Sequence, residues 1–175
     1  MRNTFESVKL TQSISDEINN QTFHHHYYVL FDIAKEFGDE QINYVEIGCY
    51  AGGSACLMLQ RPNTNVISID LGKPINPEVV QNNTSKMNIH GNQYNYIQGN
   101  SRTTETLDKL KNFVSSIDIL FIDGDHSYEG VKKDFELYST IMSENGIITI
   151  HDIDQNYHDT FVVTENAKED FIPFD

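Results

Sequence analysis

Basic residues are scarce. Twelve Lys and Arg stand against 26 Asp and Glu, a formal charge of −14 with histidine neutral. A nucleic-acid partner favours a basic face, so this balance argues against one. It disfavours an anionic membrane surface for the same reason. Long hydrophobic runs are also missing. No apolar stretch nears the roughly 18 residues of a spanning helix, and the opening MRNTFESVKL lacks the apolar core of a signal peptide. Only two cysteines occur, Cys49 and Cys56. They have no zinc-ribbon spacing and make no disulfide framework, so a reducing, cytoplasmic setting is expected. Tryptophan is absent, and nothing functional follows from that. No linker rich in Pro, Gly or Ser divides the chain, and no internal repeat is visible. What remains is 175 residues, the size of one domain that can bury a core without disulfide staples.

Residues 1–22 are polar and read as a loosely packed N-terminal arm, leaving 23–175 as a single domain. Phe23, Tyr27, Leu30, Phe31 and Ala34 follow helical spacing, with Gly38 as a stop. His24, His25 and His26 lie on that helix. Consecutive helical residues fan around the axis, so the three read as solvated surface rather than as a metal site. Short apolar runs then alternate with helical patterns. Strands are expected at 43–47, 65–70, 94–97, 117–122 and 146–150. Helices are expected at 54–60, 77–90 and 103–114, and along the face Val131, Phe135, Tyr138 and Met142. This alternation predicts an α/β fold, a Rossmann-like doubly wound, mostly parallel sheet with helices on both faces. Such sheets bind ligands beyond the carboxyl ends of their strands.

The strand ends hold the unusual chemistry. The first runs into Glu46-Ile47-Gly48-Cys49-Tyr50-Ala51-Gly52-Gly53-Ser54, where glycines allow a sharp turn and close approach of a ligand. The spacing is neither GxGxxG nor a P-loop. An ordinary tight turn is the competing reading. The second strand ends in Asp70, 22 residues after Gly48, where a carboxylate can accept hydrogen bonds from both ribose hydroxyls. After the third strand come Asn100 and Ser101, able to bond an adenine edge; a helix cap at Ser101 explains them equally well. The fourth ends in Asp123-Gly124-Asp125-His126-Ser127-Tyr128 and the fifth in His151-Asp152-Ile153-Asp154. These two clusters are expected to face each other. Their oxygens suit a hard cation, and a histidine among carboxylates suits a general base near neutral pH. N-capping by Asp125 or Ser127 and plain solvation are the competing explanations.

Taken together, these residues resemble the class I S-adenosylmethionine-dependent methyltransferases, in the small-molecule O-methyltransferase branch. The first motif is similar to the catechol and caffeoyl-CoA type. The stretches FIDGDHSYEGVKKDFELY and GIITIHDI are similar to macrocin-type and sugar O-methyltransferases. The resemblance spans roughly residues 23–153. It implies that Glu46, Gly48, Tyr50, Gly52 and Ser54 form the loop under the methionine part of the cofactor. It implies Asp70 on the ribose, Asn100 and Ser101 at the adenine, and Asp123 at the cofactor after strand four. In metal-dependent members the acids matching Asp123 and Asp152 are ligands, which makes magnesium or another divalent cation a candidate. Ile153 departs from that pattern, because the catechol type has Asn there; Asp125 and Asp154 are the acids that could substitute. His126 falls where the catechol type carries a Lys near the acceptor hydroxyl, so it is the expected base, with His151 in reserve.

The resemblance also implies two further strands, the last antiparallel. Only 23 residues follow Asp152, so those strands are expected to be missing or short. The acceptor pocket is then expected to be open or completed by a second subunit of a homo-oligomer. The activity implied is methyl transfer from S-adenosylmethionine to a hydroxyl of a small molecule, a sugar being the favoured acceptor. The alternatives are a cofactor-binding module without turnover and a nicotinamide-dependent oxidoreductase. The missing GxGxxG argues against the oxidoreductase.

Overall fold

The computed structural model describes residues 4–18, 27–152 and 161–165, the last of these by backbone alone. Its strands arise where β-branched and aromatic residues alternate in side-chain direction. They are β1 Ile42–Ile47, β2 Thr64–Asp70, β3 Tyr94–Gln98, β4 Ile117–Ile122, β5 Met142–His151 and β6 Phe161–Glu165. The order across the sheet is β3-β2-β1-β4-β5-β6. The first five strands run parallel. β6 lies antiparallel against β5 at the edge. One strand therefore follows β5 among the described residues, where the resemblance implies two.

The alternation sorts residues onto two faces. Val45, Ile47, Ile67, Ile69, Leu120 and Ile122 pack beneath Leu107 and Leu110 of α5 (Thr104–Leu110) and Phe135 and Tyr138 of α6 (Tyr128–Tyr138). Tyr44, Val66, Ile119 and Phe121 pack on the other face. They lie against α1 (Thr4–Glu17), α2 (Tyr28–Lys35) and α3 (Gly53–Met58). α4 (Pro77–Met87) begins with Asn76 capping the amide of Glu78 and proline in the first turn. No helix among the described residues is long and apolar enough to cross a membrane.

Two sequence expectations need correction. Residues 4–17 form a helix rather than a loose arm, with Ile14 and Ile18 buried in the core. Ser7, Thr11 and Ser15 on the same face are buried as well, because partners wait there. Ser7 Oγ donates to Asp32 Oδ1 (2.6 Å), and Lys35 Nζ lies 2.6 Å from the same oxygen. Thr11 Oγ1 donates to the Ser7 carbonyl. Met142 is the first residue of β5, paired with Ile117, and not the last of a helix face. A single 3-10 turn, Ser139–Ile141, separates it from α6. The histidines at 24–26 and the acid at 154 lie outside the described residues.

The order places the topological switch between β1 and β4. Connections leave β1 toward β2 and β3, then return to β4 on its other side, which opens a crevice at the carboxyl ends. In register, Ile47 stands level with Ile69 on one side and Ile122 on the other. Asp70, Asp123 and His151 thus reach the same edge of the sheet.

Candidate active site

A cavity of about 750 Å³ opens at that edge. The glycine turn forms its floor. Gly48 has φ +82°, a conformation costly for any residue with a Cβ, and its amide donates to the Ile69 carbonyl (2.8 Å). A Cβ at this position would run into the Asp123 carbonyl and Gly124 Cα. Close approach of two strand-end loops is therefore what the glycine provides. Tyr50, with φ +45°, holds a left-handed conformation without being glycine and stays exposed on the cavity rim. Strain of this kind gathers at functional sites.

Asp70 ties the floor together. Its Oδ2 accepts from the amides of Cys49 (3.0 Å) and Tyr50 (3.3 Å), and its Oδ1 from the amide of Gly72 (2.7 Å). Three backbone donors hold the carboxylate where it also lines the cavity. The loop role and the ligand role coexist. Asn100 and Ser101 line the same end, with Gly99, Arg102, Leu71, Lys73 and Pro74. Neither is a helix cap. Thr103 caps α5, and Asn100 Oδ1 accepts from the Arg102 amide.

Glu46, Gly52 and Ser54 do not line the cavity. Glu46 is fully buried beneath the glycine turn. It accepts from Ser54 Oγ (2.5 Å), Ser68 Oγ (2.6 Å) and Tyr44 Oη (3.0 Å). These three support the floor from beneath, behind the residues that line the cavity. Gly52, left-handed at φ +85°, starts α3 and leaves Val80 close beside it.

Burial pushes the Glu46 carboxyl up to about 7, against the pull of its three hydroxyl donors and with help from the charge of Asp123. The folded protein thus binds this proton more tightly than the unfolded chain, whose glutamate titrates near 4.5. Between those values unfolding gains in favour as pH rises. The group's contribution to stability is present below about 4.5 and gone above about 7, a loss of about 3 kcal/mol. Urea unfolding at pH 5 and pH 8 should show this fall in the native protein and lack it in Glu46→Gln. Equal slopes in the two proteins would contradict the assignment.

The opposite end of the cavity holds the acids and histidines. His126 Nδ1 lies 3.1 Å from Asp152 Oδ2, while His126 Nε2 is 3.8 Å from Asp123 Oδ1, too far for a hydrogen bond. His151 Nδ1 sits 3.0 Å from both Asp123 Oδ1 and Asp152 Oδ1. Asp152 itself is left-handed, φ +53°, immediately after β5. The His126 side chain is half-exposed and lines the cavity; that of His151 is sealed at 1% exposure. His151 therefore lies sealed between the two carboxylates, outside the residues that line the cavity. Donor atoms of Asp123, His126, His151 and Asp152 all lie within 4.8 Å of one another. Two carboxylates and two imidazoles form a donor set that fits a divalent cation. Asp125 turns away to Arg102 Nη1 (2.5 Å) and the Ser127 amide, so it does not stand in as a ligand. Ser127 caps α6, as its position after the strand allowed.

Tyr27 escaped sequence reasoning. Its buried ring packs edge-on against Phe121 and His151, and its hydroxyl donates to Asp123 Oδ2 (3.2 Å). Burial, then the charge of Asp123, pushes its pKa well above the usual phenol range, which keeps it a donor. The only sequence signal was an aromatic at the head of a helix, and apolar packing explains that equally well.

A parallel sheet with this order, a glycine turn, a strand-two acid and an acid–histidine cluster define a class I S-adenosylmethionine-dependent methyltransferase fold of the kind found in O-methyltransferases. The chain belongs to the methyltransferase domain family, which its sequence matches over residues 45–153. It is 38% identical over 141 residues to an uncharacterised protein of Acanthamoeba polyphaga mimivirus, covering 79% of this chain and 64% of that protein. Similar solved structures include the MycE methyltransferase of the mycinamycin biosynthetic pathway in complex with Mg and SAH. There the TM-score is 0.61 and the identity 20%, over 82% of this chain and 39% of MycE. CalS11, a TDP-rhamnose 3'-O-methyltransferase of calicheamicin biosynthesis, gives 0.59 and 13%, over 83% and 78%. The O-methyltransferase TomG from Streptomyces achromogenes, in complex with SAM, gives 0.57 and 12%, over 83% and 64%. The chain spans less than two thirds of the mimivirus protein and of MycE.

Proposed function

We propose that this protein transfers a methyl group from S-adenosylmethionine to a hydroxyl of a small molecule, with a sugar as the favoured acceptor. One observation carries the reading. A single cavity joins the Asp70 floor, suited to a nucleoside, with His126 braced by acids at its other end. The family membership and the cofactor products bound to proteins of similar fold support it. The sugar is favoured because CalS11, of similar fold, is a TDP-rhamnose 3'-O-methyltransferase.

The sulfonium of the cofactor supplies the activated methyl group. This chain's part is to hold, align and deprotonate. Asp70 holds the ribose end through whatever acceptor capacity its three backbone bonds leave. Asn100 and Ser101 face the base. His126 donates from Nδ1 to Asp152, which leaves Nε2, beyond hydrogen-bond reach of Asp123, as the nitrogen that takes the acceptor's proton. Asp123, held by Tyr27 and His151, stabilises the imidazolium that forms. Asp123 and Asp152 would also hold a divalent cation, which would make the acceptor hydroxyl more acidic. The acceptor is a small molecule rather than a nucleic acid or a membrane, as the −14 charge favours. The same reading carries a cytoplasmic setting and a homo-oligomer in which a second subunit closes the acceptor side.

The test is transfer of isotope-labelled methyl from S-adenosylmethionine to a panel of glycosides, nucleotide sugars and phenols. A labelled, base-stable ether is the expected product. Cofactor binding with no transfer to any member would favour a binding module instead. Once an acceptor is found, chelator treatment should lower turnover by more than about tenfold, since a Lewis acid supplies several kcal/mol, and added magnesium or manganese should restore it. Equal turnover before and after chelation would remove the cation from the account.

A further inference from the structure

Asp134 is a buried acid near the cavity that the proposed chemistry does not use. It lies on α6 at 1% exposure, and neither of its oxygens has a hydrogen bond of ordinary geometry. A buried carboxylate left so is costly and asks for a reason. Its surroundings supply one. The groups facing it are the Ser101 hydroxyl and the Arg102 guanidinium, both favouring its charge, and Asp125, opposing it. One helical turn further on, Tyr138 Oη donates to the Ser101 carbonyl (2.9 Å). Residues four apart share a helix face. α6 therefore reaches the Ser101–Arg102 turn through the Tyr138 hydrogen bond, with the unpartnered Asp134 carboxylate on the same helix face.

That turn is a wall of the cavity. Arg102 also crosses it to Asp125 Oδ2 (2.5 Å), on the loop that carries His126. Both partners of this bridge are about 39% exposed, so by itself it is a weak tie. We infer that Asp134 is a positioning residue: through the Ser101 hydroxyl and Arg102 it sets the wall at the adenine end of the cavity and, through Arg102, the loop holding His126. The inference rests on the cofactor reading above.

The arrangement makes cofactor affinity depend on the charge of Asp134. Burial raises its carboxyl to about 6, against the pull of Ser101 and Arg102 and with the push of Asp125. As pH rises through that value the carboxylate forms, draws the Ser101 hydroxyl round as a donor and holds Arg102 in place. Below it, the neutral acid releases both.

Calorimetry of S-adenosylhomocysteine binding between pH 5 and 8 tests this. Asp134→Asn keeps the shape and removes the charge. It should bind about three- to tenfold more weakly at pH 7.5, the worth of a charge-assisted over a neutral hydrogen bond, and its affinity should rise less with pH than that of the native protein. Ser101→Ala should act likewise, and the double variant should be no worse than the weaker single one. Tyr138→Phe should weaken binding but keep the native pH slope, because it loosens the turn without touching the charge. Losses that simply add, or a native pH slope in Asp134→Asn, would overturn the inference. A second readout needs no ligand. Hydrogen exchange at residues 99–103 should quicken in Asp134→Asn while the strands stay protected. Native protein that takes up no S-adenosylhomocysteine would defeat the cofactor reading, and unchanged exchange at 99–103 would separately defeat this one.

Discussion

Gly48→Ala is expected to unfold at a temperature about 6–12 °C lower and to lose S-adenosylhomocysteine binding. Two costs combine. The backbone at φ +82° carries a strain of about 1–3 kcal/mol once a Cβ is present. The new methyl then meets the Asp123 carbonyl and Gly124 Cα, which are backbone atoms and cannot rotate aside. The β4 loop must move, for a total above about 3 kcal/mol. In a domain of this size each kcal/mol is worth about 2–4 °C. The displaced loop carries Asp123, so the floor and the acid cluster lose register together. Gly91→Ala is the control. Gly91 is also left-handed, φ +67°, but open space surrounds its Cβ position. It should show the strain alone, with binding intact. Thermal unfolding and calorimetry on both variants check this, and a Gly48→Ala protein with native melting and affinity would contradict the role given to the turn.

His126→Ala should cut turnover by about 10²- to 10⁴-fold, the range for losing a positioned acid or base. Cofactor affinity should stay near native, because Asp70 and the glycine turn hold the cofactor from the other end of the cavity. The His126 side chain is half-exposed, so little stability is at stake. Asp152→Asn should produce a similar but smaller loss through the Nδ1 contact of 3.1 Å, since the amide cannot balance an imidazolium. Initial rates and calorimetry on the same samples separate the two effects. Full turnover in His126→Ala would hand proton removal to solvent. Lost cofactor binding would place the imidazole in the cofactor pocket.

The parts of this architecture that were legible in the sequence share a cause. Strand ends follow directly from short β-branched runs, and a parallel sheet puts its ligands there. Asp70, Asp123, His126 and Asp152 could therefore be named from position alone, and the structure brings the last three together. The illegible parts depend on partners distant in the chain. The N-terminal helix reads as polar because Ser7, Thr11 and Ser15 are buried through hydrogen bonds or beside other elements rather than by being apolar. Asp32, which receives Ser7, lies 25 residues on. Tyr27 meets Asp123 only after the sheet has formed. Glu46 and Ser54 sit in the right motif, yet side-chain alternation in β1 sends the glutamate under the turn with Tyr44, not into the cavity. Asp134 looks like one more charge on a helix until α6 is laid against the loop after β3.

Titration of the purified protein with S-adenosylhomocysteine, native and Asp70→Ala side by side, tests the central claim most directly. The account predicts one site per chain in the native protein. It predicts a loss of about 1.5–3 kcal/mol, roughly 10- to 150-fold in affinity, when the carboxylate is removed. A native protein that binds no S-adenosylhomocysteine, or an Asp70→Ala variant that binds it equally well, would contradict it.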